Sequence, residues 1–166
     1  ITNSIINYLD AMDRSDLEID LALVSTDFHP EILEKIKKIG CRIKVLPLRR
    51  KKPLRYFFAL YNLVRKNNYD LVHVHGSSAT LALEMWAAKL AGCRIRIAHS
   101  RNTCSDYPLL DKLLRPLFNM SYTHGFACGM EAGQWLFGDK SFRVIPNGKE
   151  IEKFVFNKSK RIEMRK

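Results

Sequence analysis

Tyr69-Asp70-Leu71-Val72-His73-Val74-His75-Gly76 is the stretch whose reading decides the fold. Leu71–His75 is apolar and rich in β-branched residues, so it reads as a strand. Side chains alternate faces along a strand, which puts Leu71, His73 and His75 on one side and Val72 and Val74 on the other. His75 is the last strand residue. Gly76 removes side-chain bulk where backbone can approach a ligand. Ser77 or Ser78 then caps a helix running to about Ala91, with Gly92 as its stop.

Working outward, the same alternation recurs. Toward the N-terminus, Ile1–Met12 reads as the end of a helix, Ile19–Val24 as a strand and Pro30–Ile39 as a helix stopped by Gly40. Ile43–Leu46 is a strand ended by Pro47. Pro53 opens a helix reaching about Lys66. Toward the C-terminus come a strand at Ile95–Ala98 and a helix at Leu109–Met120, bent or restarted at Pro116. A strand at Thr123–Cys128, a helix at Glu131–Phe137 and a strand at Phe142–Ile145 follow, before the turn signal Pro146-Asn147-Gly148. Alternating strands and helices with short links imply parallel strands and crossover helices. The expected architecture is α/β: a doubly wound parallel sheet in a Rossmann-like three-layer sandwich, without internal repeats.

Ligands of such sheets bind beyond the carboxyl ends of the strands. Two neighbouring strands end there in histidine: His75 before Gly76 and Ser77, and His99 before Ser100, Arg101 and Asn102. That coincidence marks a candidate site. His73, His75 and His99 offer three nitrogen ligands to a metal. No carboxylate or cysteine stands beside them in sequence, so the site is read as metal-free and without a cofactor. The chain has no G-x-S-x-G elbow, no G-x-x-x-x-G-K followed by Ser or Thr, and no G-x-G-x-x-G. The first two absences argue against a hydrolase of the α/β type and a phosphate-loop NTPase; the third argues, more weakly, against a dinucleotide-binding domain.

Composition narrows the partners. The 166 residues fit one domain and carry 28 Lys+Arg against 17 Asp+Glu, a net charge of +11. A field of that sign favours anionic partners. Arg49, Arg50, Lys51, Lys52 and Arg55 form one cluster; Lys158, Lys160, Arg161, Arg165 and Lys166 form another. The apolar runs are far short of the roughly 18–20 residues of a membrane span. Ile1–Tyr8 lacks the features of a signal peptide. Cys41, Cys93, Cys104 and Cys128 form no C-x-x-C pair, as in reduced cytosolic proteins. A cytoplasmic location is expected.

Four segments resemble glycosyltransferase family 4, enzymes built as two Rossmann-like domains facing a cleft (the GT-B fold). Tyr69–Gly76 is similar to the family's Y-D-aliphatic-aliphatic-H-x-H strand. Arg96–Thr103 resembles its R-I-x-H strand end. Cys128–Gly138 (CGMEAGQWLFG) resembles a helix start seen in polysaccharide-building members, and Val144–Glu150 (VIPNGKE) the segment that closes the N-terminal domain. Arg101 stands where histidine is common, and Lys149 where an aliphatic residue is usual.

The resemblance implies the acceptor-side N-terminal domain over residues 1–148, lacking its first strand and glycine-rich loop. Residues 149–166 would lead into a C-terminal donor-binding domain. It also implies retaining, metal-independent transfer from a nucleotide-sugar donor to a saccharide or lipid-linked acceptor, in exopolysaccharide, capsule or cell-envelope glycan synthesis. His99 would lie near the transferring sugar as the catalytic residue. His75, Gly76, Ser77, Ser100, Arg101 and Asn102 would bind the acceptor. A lipid-linked acceptor would place the enzyme at the inner membrane face, with Arg49, Arg50, Lys51, Lys52 and Arg55 contacting anionic lipid. Two rivals stand beside this reading: a sugar-nucleotide epimerase of the same fold, which needs no acceptor, and a non-catalytic anion-binding module. Nucleic acid is not the expected partner, because helical spacing assigns the aromatics after the first basic cluster mostly to the core.

Overall fold

The computed structural model describes residues 2–24, 30–148, 155–156, 161 and 164. Among the described residues six strands alternate with six α-helices: β1 (Asp20–Leu23), β2 (Arg42–Val45), β3 (Leu71–Gly76), β4 (Ile95–Ser100), β5 (His124–Ala127), β6 (Arg143–Val144), and α1 (Thr2–Ala11), α2 (Pro30–Ile39), α3 (Pro53–Asn67), α4 (Ala82–Leu90), α5 (Pro108–Asn119), α6 (Met130–Phe137). All strand pairs are parallel. The expected α/β class and parallel, Rossmann-like layering are present. The second basic cluster and the expected linker 149–166 lie almost wholly outside the described residues.

Local sequence accounts for the elements. In α3, Tyr56, Leu60 and Val64 recur every four residues and are buried, which lays one stripe against the core. Pro53 sits in the first turn, where a missing N–H costs nothing. Gly40 (φ 78°) and Gly92 (φ 93°) end α2 and the α4 segment in the left-handed region that side-chain-bearing residues avoid. Three apolar clusters fill the interior. One joins Leu81, Met85, Phe118 and Leu136, a second joins Tyr56, Leu60, Val64 and Ala88, and a third joins α1 and α2 through Ile6, Leu9, Ile36 and Ile39.

Three expectations are corrected. The helix after β3 is not capped by serine. It begins as a 3-10 turn at Ala79–Leu81, and Ser78 makes no capping bond. The Ser78 hydroxyl instead meets that of Thr80 at 2.7 Å. The buried carboxylate of Asp111, reaching over from α5, accepts the Ala79 N–H at 2.6 Å. Nor does α5 restart at Pro116; it runs unbroken from Pro108 to Asn119. Proline removes one intrahelical bond there, and burial of Phe118 and Asp111 holds the helix on either side of it.

The third correction concerns the sheet. It falls into two pieces, ordered β1-β2 and β3-β4-β5-β6. β1 and β3 are not hydrogen-bonded to each other. The Tyr69 hydroxyl, just before β3, reaches the Asp20 carboxylate of β1. Within each piece the strands follow chain order, and the Tyr69–Asp20 contact links β1 to the start of β3. In an open α/β sheet ligands bind beyond the carboxyl ends of the strands.

Candidate active site

Register brings the histidines together. His75 pairs with His99, and His99 with Phe126, across β3, β4 and β5. In-register residues share a face, so His73, His75, His99 and Phe126 form one patch. Val72 and Val74 face the helical core on the other side. The imidazole centroids lie 4.2 Å (His73–His75), 4.9 Å (His75–His99) and 5.2 Å (His73–His99) apart. Phe126 packs edge-on against His73 and His99 at 5.8 and 5.9 Å.

Polar contacts orient the cluster. His73 Nε2 lies 3.1 Å from His99 Nδ1. Arg101 Nε donates to His75 Nδ1 at 3.1 Å, which leaves the His75 proton on Nε2. A second Arg101 nitrogen donates to Asn147 Oδ1. Asn147 belongs to the turn after β6, which is tied back to α1 where Asn7 Nδ2 donates to the Gly148 carbonyl at 3.3 Å. His99 is 2% exposed, and its Nε2 is buried without a hydrogen-bond partner among the described residues. A neutral buried polar atom left unpaired costs about 1–3 kcal/mol.

All three imidazoles are held neutral. Burial lowers the His99 pKa to about 3, with Arg101 and His73 adding to the effect. His75 falls to about 2 through burial, then His73, Arg101 and His99. His73, whose ring keeps an exposed edge, falls to about 4, chiefly from desolvation and then Arg101. Burial also lowers the Arg101 pKa.

The same cluster bears on metal binding. The three imidazoles each offer a nitrogen, and these atoms lie within 4.8 Å of one another. Against a metal, Arg101 already occupies His75 Nδ1. A second cation would meet guanidinium repulsion in a poorly solvated setting. No Asp, Glu or Cys among the described residues completes the cluster.

The other expected residues are placed as follows. Gly76 is in register with Ser100, and the room left by its missing side chain is filled by Leu81, whose Cδ2 would lie 2.7 Å from an added Cβ. A side chain there would push the Leu81 side chain aside, so the glycine serves packing. Ser77 lends its carbonyl to the Trp135 indole N–H at 2.9 Å. Ser100 is fully buried. Asn102 is exposed, and with Arg101 it lines an open cleft of about 380 Å³ that Gly129, Met130 and Glu131 close from the start of α6. Sequence reasoning reads Asn147 chiefly as a turn and hinge residue and does not single out Phe126. The signal for Phe126 is its register opposite His99; none points to Asn147 as the partner of Arg101.

The basic segment divides. Arg49 turns inward, pairing with the buried Glu84 carboxylate at 2.9 Å and donating to the Thr80 carbonyl. Burial pushes the Glu84 carboxyl up, and Arg49 beside it pulls it back. Arg50 stays at the surface, 3.3 Å from Asp106. Lys51, Lys52 and Arg55 are exposed.

Residues 1–153 match the family model for glycosyltransferase family 4. The chain belongs to glycosyltransferase family 4. A curated relative, the putative glycosyltransferase EpsF of Bacillus subtilis, is 29% identical over 169 residues, covering 92% of this chain and 43% of that protein. The family 4 chain thus spans less than half the length of that relative. Among solved structures, Anabaena HepE in complex with UDP-glucose superposes with a TM-score of 0.68 at 15% identity, covering 99% of this chain and 44% of that one. The MnaA–UDP structure from S. aureus gives 0.61 at 14% identity, covering 95% and 45%. At these identities the structural likeness establishes the fold. No described helix of this family 4 chain is long and apolar enough to cross a membrane.

Proposed function

We propose that this chain forms the acceptor-side half of a glycosyltransferase. The enzyme moves a sugar, with retention, from a nucleotide-sugar donor to a hydroxyl of a saccharide or lipid-linked acceptor. The product belongs to exopolysaccharide, capsule or cell-envelope glycan synthesis. The observation that carries the reading is His99: neutral, buried at a strand end, with Nε2 unpaired. An incoming sugar hydroxyl would satisfy that nitrogen and be fixed by it. His75, Ser77, Arg101 and Asn102 line the acceptor, with Arg101 steering His75; Gly76, packed against Leu81, and the fully buried Ser100 support that wall from behind. The donor nucleotide is held mainly by a second domain. EpsF is named a glycosyltransferase and HepE was solved with UDP-glucose, which supports a nucleotide-sugar donor. The enzyme works in the cytoplasm at the inner membrane face, held there by the exposed cations that follow β2.

In the full-length enzyme, His99→Ala should lower turnover by roughly a hundredfold, the scale on which one hydrogen bond to a transition state acts. A change under about threefold would remove His99 from the mechanism. Retention is checked by the anomeric configuration of the first-formed product. The site works without metal, so protein purified without chelator should hold no stoichiometric zinc. An epimerase of the same fold would act on UDP-sugar alone; a strict requirement for acceptor separates the two.

A further inference from the structure

Helix α5 turns a row of leucines to solvent. Leu109 is 86% exposed, Leu113 72% and Leu117 46%. They are spaced four residues apart and share one face. Tyr107 just before the helix and Met120 just after it are also exposed and extend the row at both ends. The opposite face is occupied: Phe118 and Asp111 are buried. A contiguous apolar strip of this kind on a soluble domain marks an interaction surface.

The charges around the strip select the partner. Arg50 lies over the Tyr107 ring at 5.6 Å, which joins the basic segment after β2 to the start of the row. Lys112 is exposed between the leucines. At the far end Lys89 Nζ donates to the Met120 carbonyl at 2.8 Å. The single carboxylate of α5, Asp111, is turned inward to Arg115. The exposed Asp106 carboxylate beside Tyr107 pairs with Arg50 at 3.3 Å, so the row is apolar with a fringe that is cationic on balance.

We infer that the outer face of α5 is the surface by which this protein docks on an anionic lipid bilayer. Leu109, Leu113 and Leu117 enter the acyl boundary, and Arg50, Lys112 and Lys89 stay at the phosphate level. A second copy of the chain is the weaker occupant, because an isologous contact would set this cationic fringe against itself. The inference deepens the membrane-peripheral reading above and rests on it; it does not depend on the sugar chemistry.

The test is co-sedimentation of the full-length protein with phosphatidylcholine vesicles and with vesicles enriched in phosphatidylglycerol. Two variants are compared with wild type: Leu109→Ser/Leu113→Ser/Leu117→Ser, and Lys51→Gln/Lys52→Gln. All three changed leucines are exposed, so circular dichroism should be unaltered. The leucine variant should partition at least about tenfold less onto anionic vesicles. A Leu113→Cys protein carrying an environment-sensitive dye should shift to the blue on those vesicles. Wild-type binding by the leucine variant, with release only in the lysine variant, would overturn the inference and leave the electrostatic reading standing. Absence of vesicle binding in wild type would overturn both. Self-association of wild type that the leucine changes abolish, without vesicle binding, would make the face a protein interface and overturn it too.

Discussion

At the residue scale, the histidine cluster ties stability to pH with a definite sign. Unfolded imidazoles titrate near pH 6.5, whereas His73, His75 and His99 are lowered to about 4, 2 and 3 in the fold. A depressed folded pKa means that the unfolded chain takes up protons first as pH falls. The stabilisation is therefore fully present above about pH 6.5 and is lost progressively toward the folded values. Glu84, whose carboxyl is raised by burial, acts in the opposite direction. The expected outcome is a falling Tm between about pH 6.5 and 5, where ordinary carboxylates remain ionised. The slope should flatten in a His73→Gln/His75→Gln/His99→Gln protein. Equal slopes in the two proteins would show that the cluster is not held neutral. Alternation along Leu71–His75 is enough to place His73 and His75 on one face. Their link to Asn147 is not legible. It runs through Arg101, whose side-chain direction after a strand end no periodicity specifies, and it spans 46 residues from Arg101 to Asn147.

At the scale of elements, the sequence pattern locates helices and strands closely because apolar spacing, proline and glycine act locally. The helix expected at Pro30–Ile39 has the same bounds in the structure. The pattern fails at the cap after β3, and the reason is tertiary. Asp111 is distant in sequence from Ala79, yet it supplies the acceptor that a local serine was expected to give. Its second oxygen holds Arg115, which in turn donates to the Leu136 carbonyl at the end of α6. One carboxylate thus pins the turn after β3 to α5 and, through Arg115, to α6. Asp111→Ala should leave a buried N–H and a half-buried guanidinium without their partner, costing about 1–3 kcal/mol. Ser78→Ala, which removes no cap, should cost less than about 0.5 kcal/mol. Urea unfolding of the two variants checks both values. A larger loss for Ser78→Ala would return the cap to serine.

At the scale of the whole molecule, His75 and His99 stand near the carboxyl ends of β3 and β4, the edge at which doubly wound sheets bind ligands. The parallel architecture is legible from alternation alone; the division of the sheet is not, since pairing between β1 and β3 depends on what fills the space between them. The site is one wall of a cleft. Arg101 and Asn102 face open space, and the carboxylate lining that space, Glu131, sits at the start of α6. Transfer between two sugars requires groups on both the leaving diphosphate and the attacking hydroxyl, held together only in the transition state. The described wall supplies neutral imidazoles for a hydroxyl, and beside them a single cation, Arg101, two of whose three nitrogens already donate to His75 and Asn147. The 166-residue chain by itself should therefore show no transfer from UDP-glucose or another nucleotide-sugar, while a longer protein containing it should. It should still retain weak affinity for acceptor fragments, because the His75–His99 wall is assembled within the chain. Radiolabelled sugar transfer and ligand-observed NMR with acceptor saccharides measure the two properties separately. Turnover by the isolated chain would mean that this one wall holds both substrates. Loss of acceptor binding together with activity would mean that the histidine wall is not the acceptor surface.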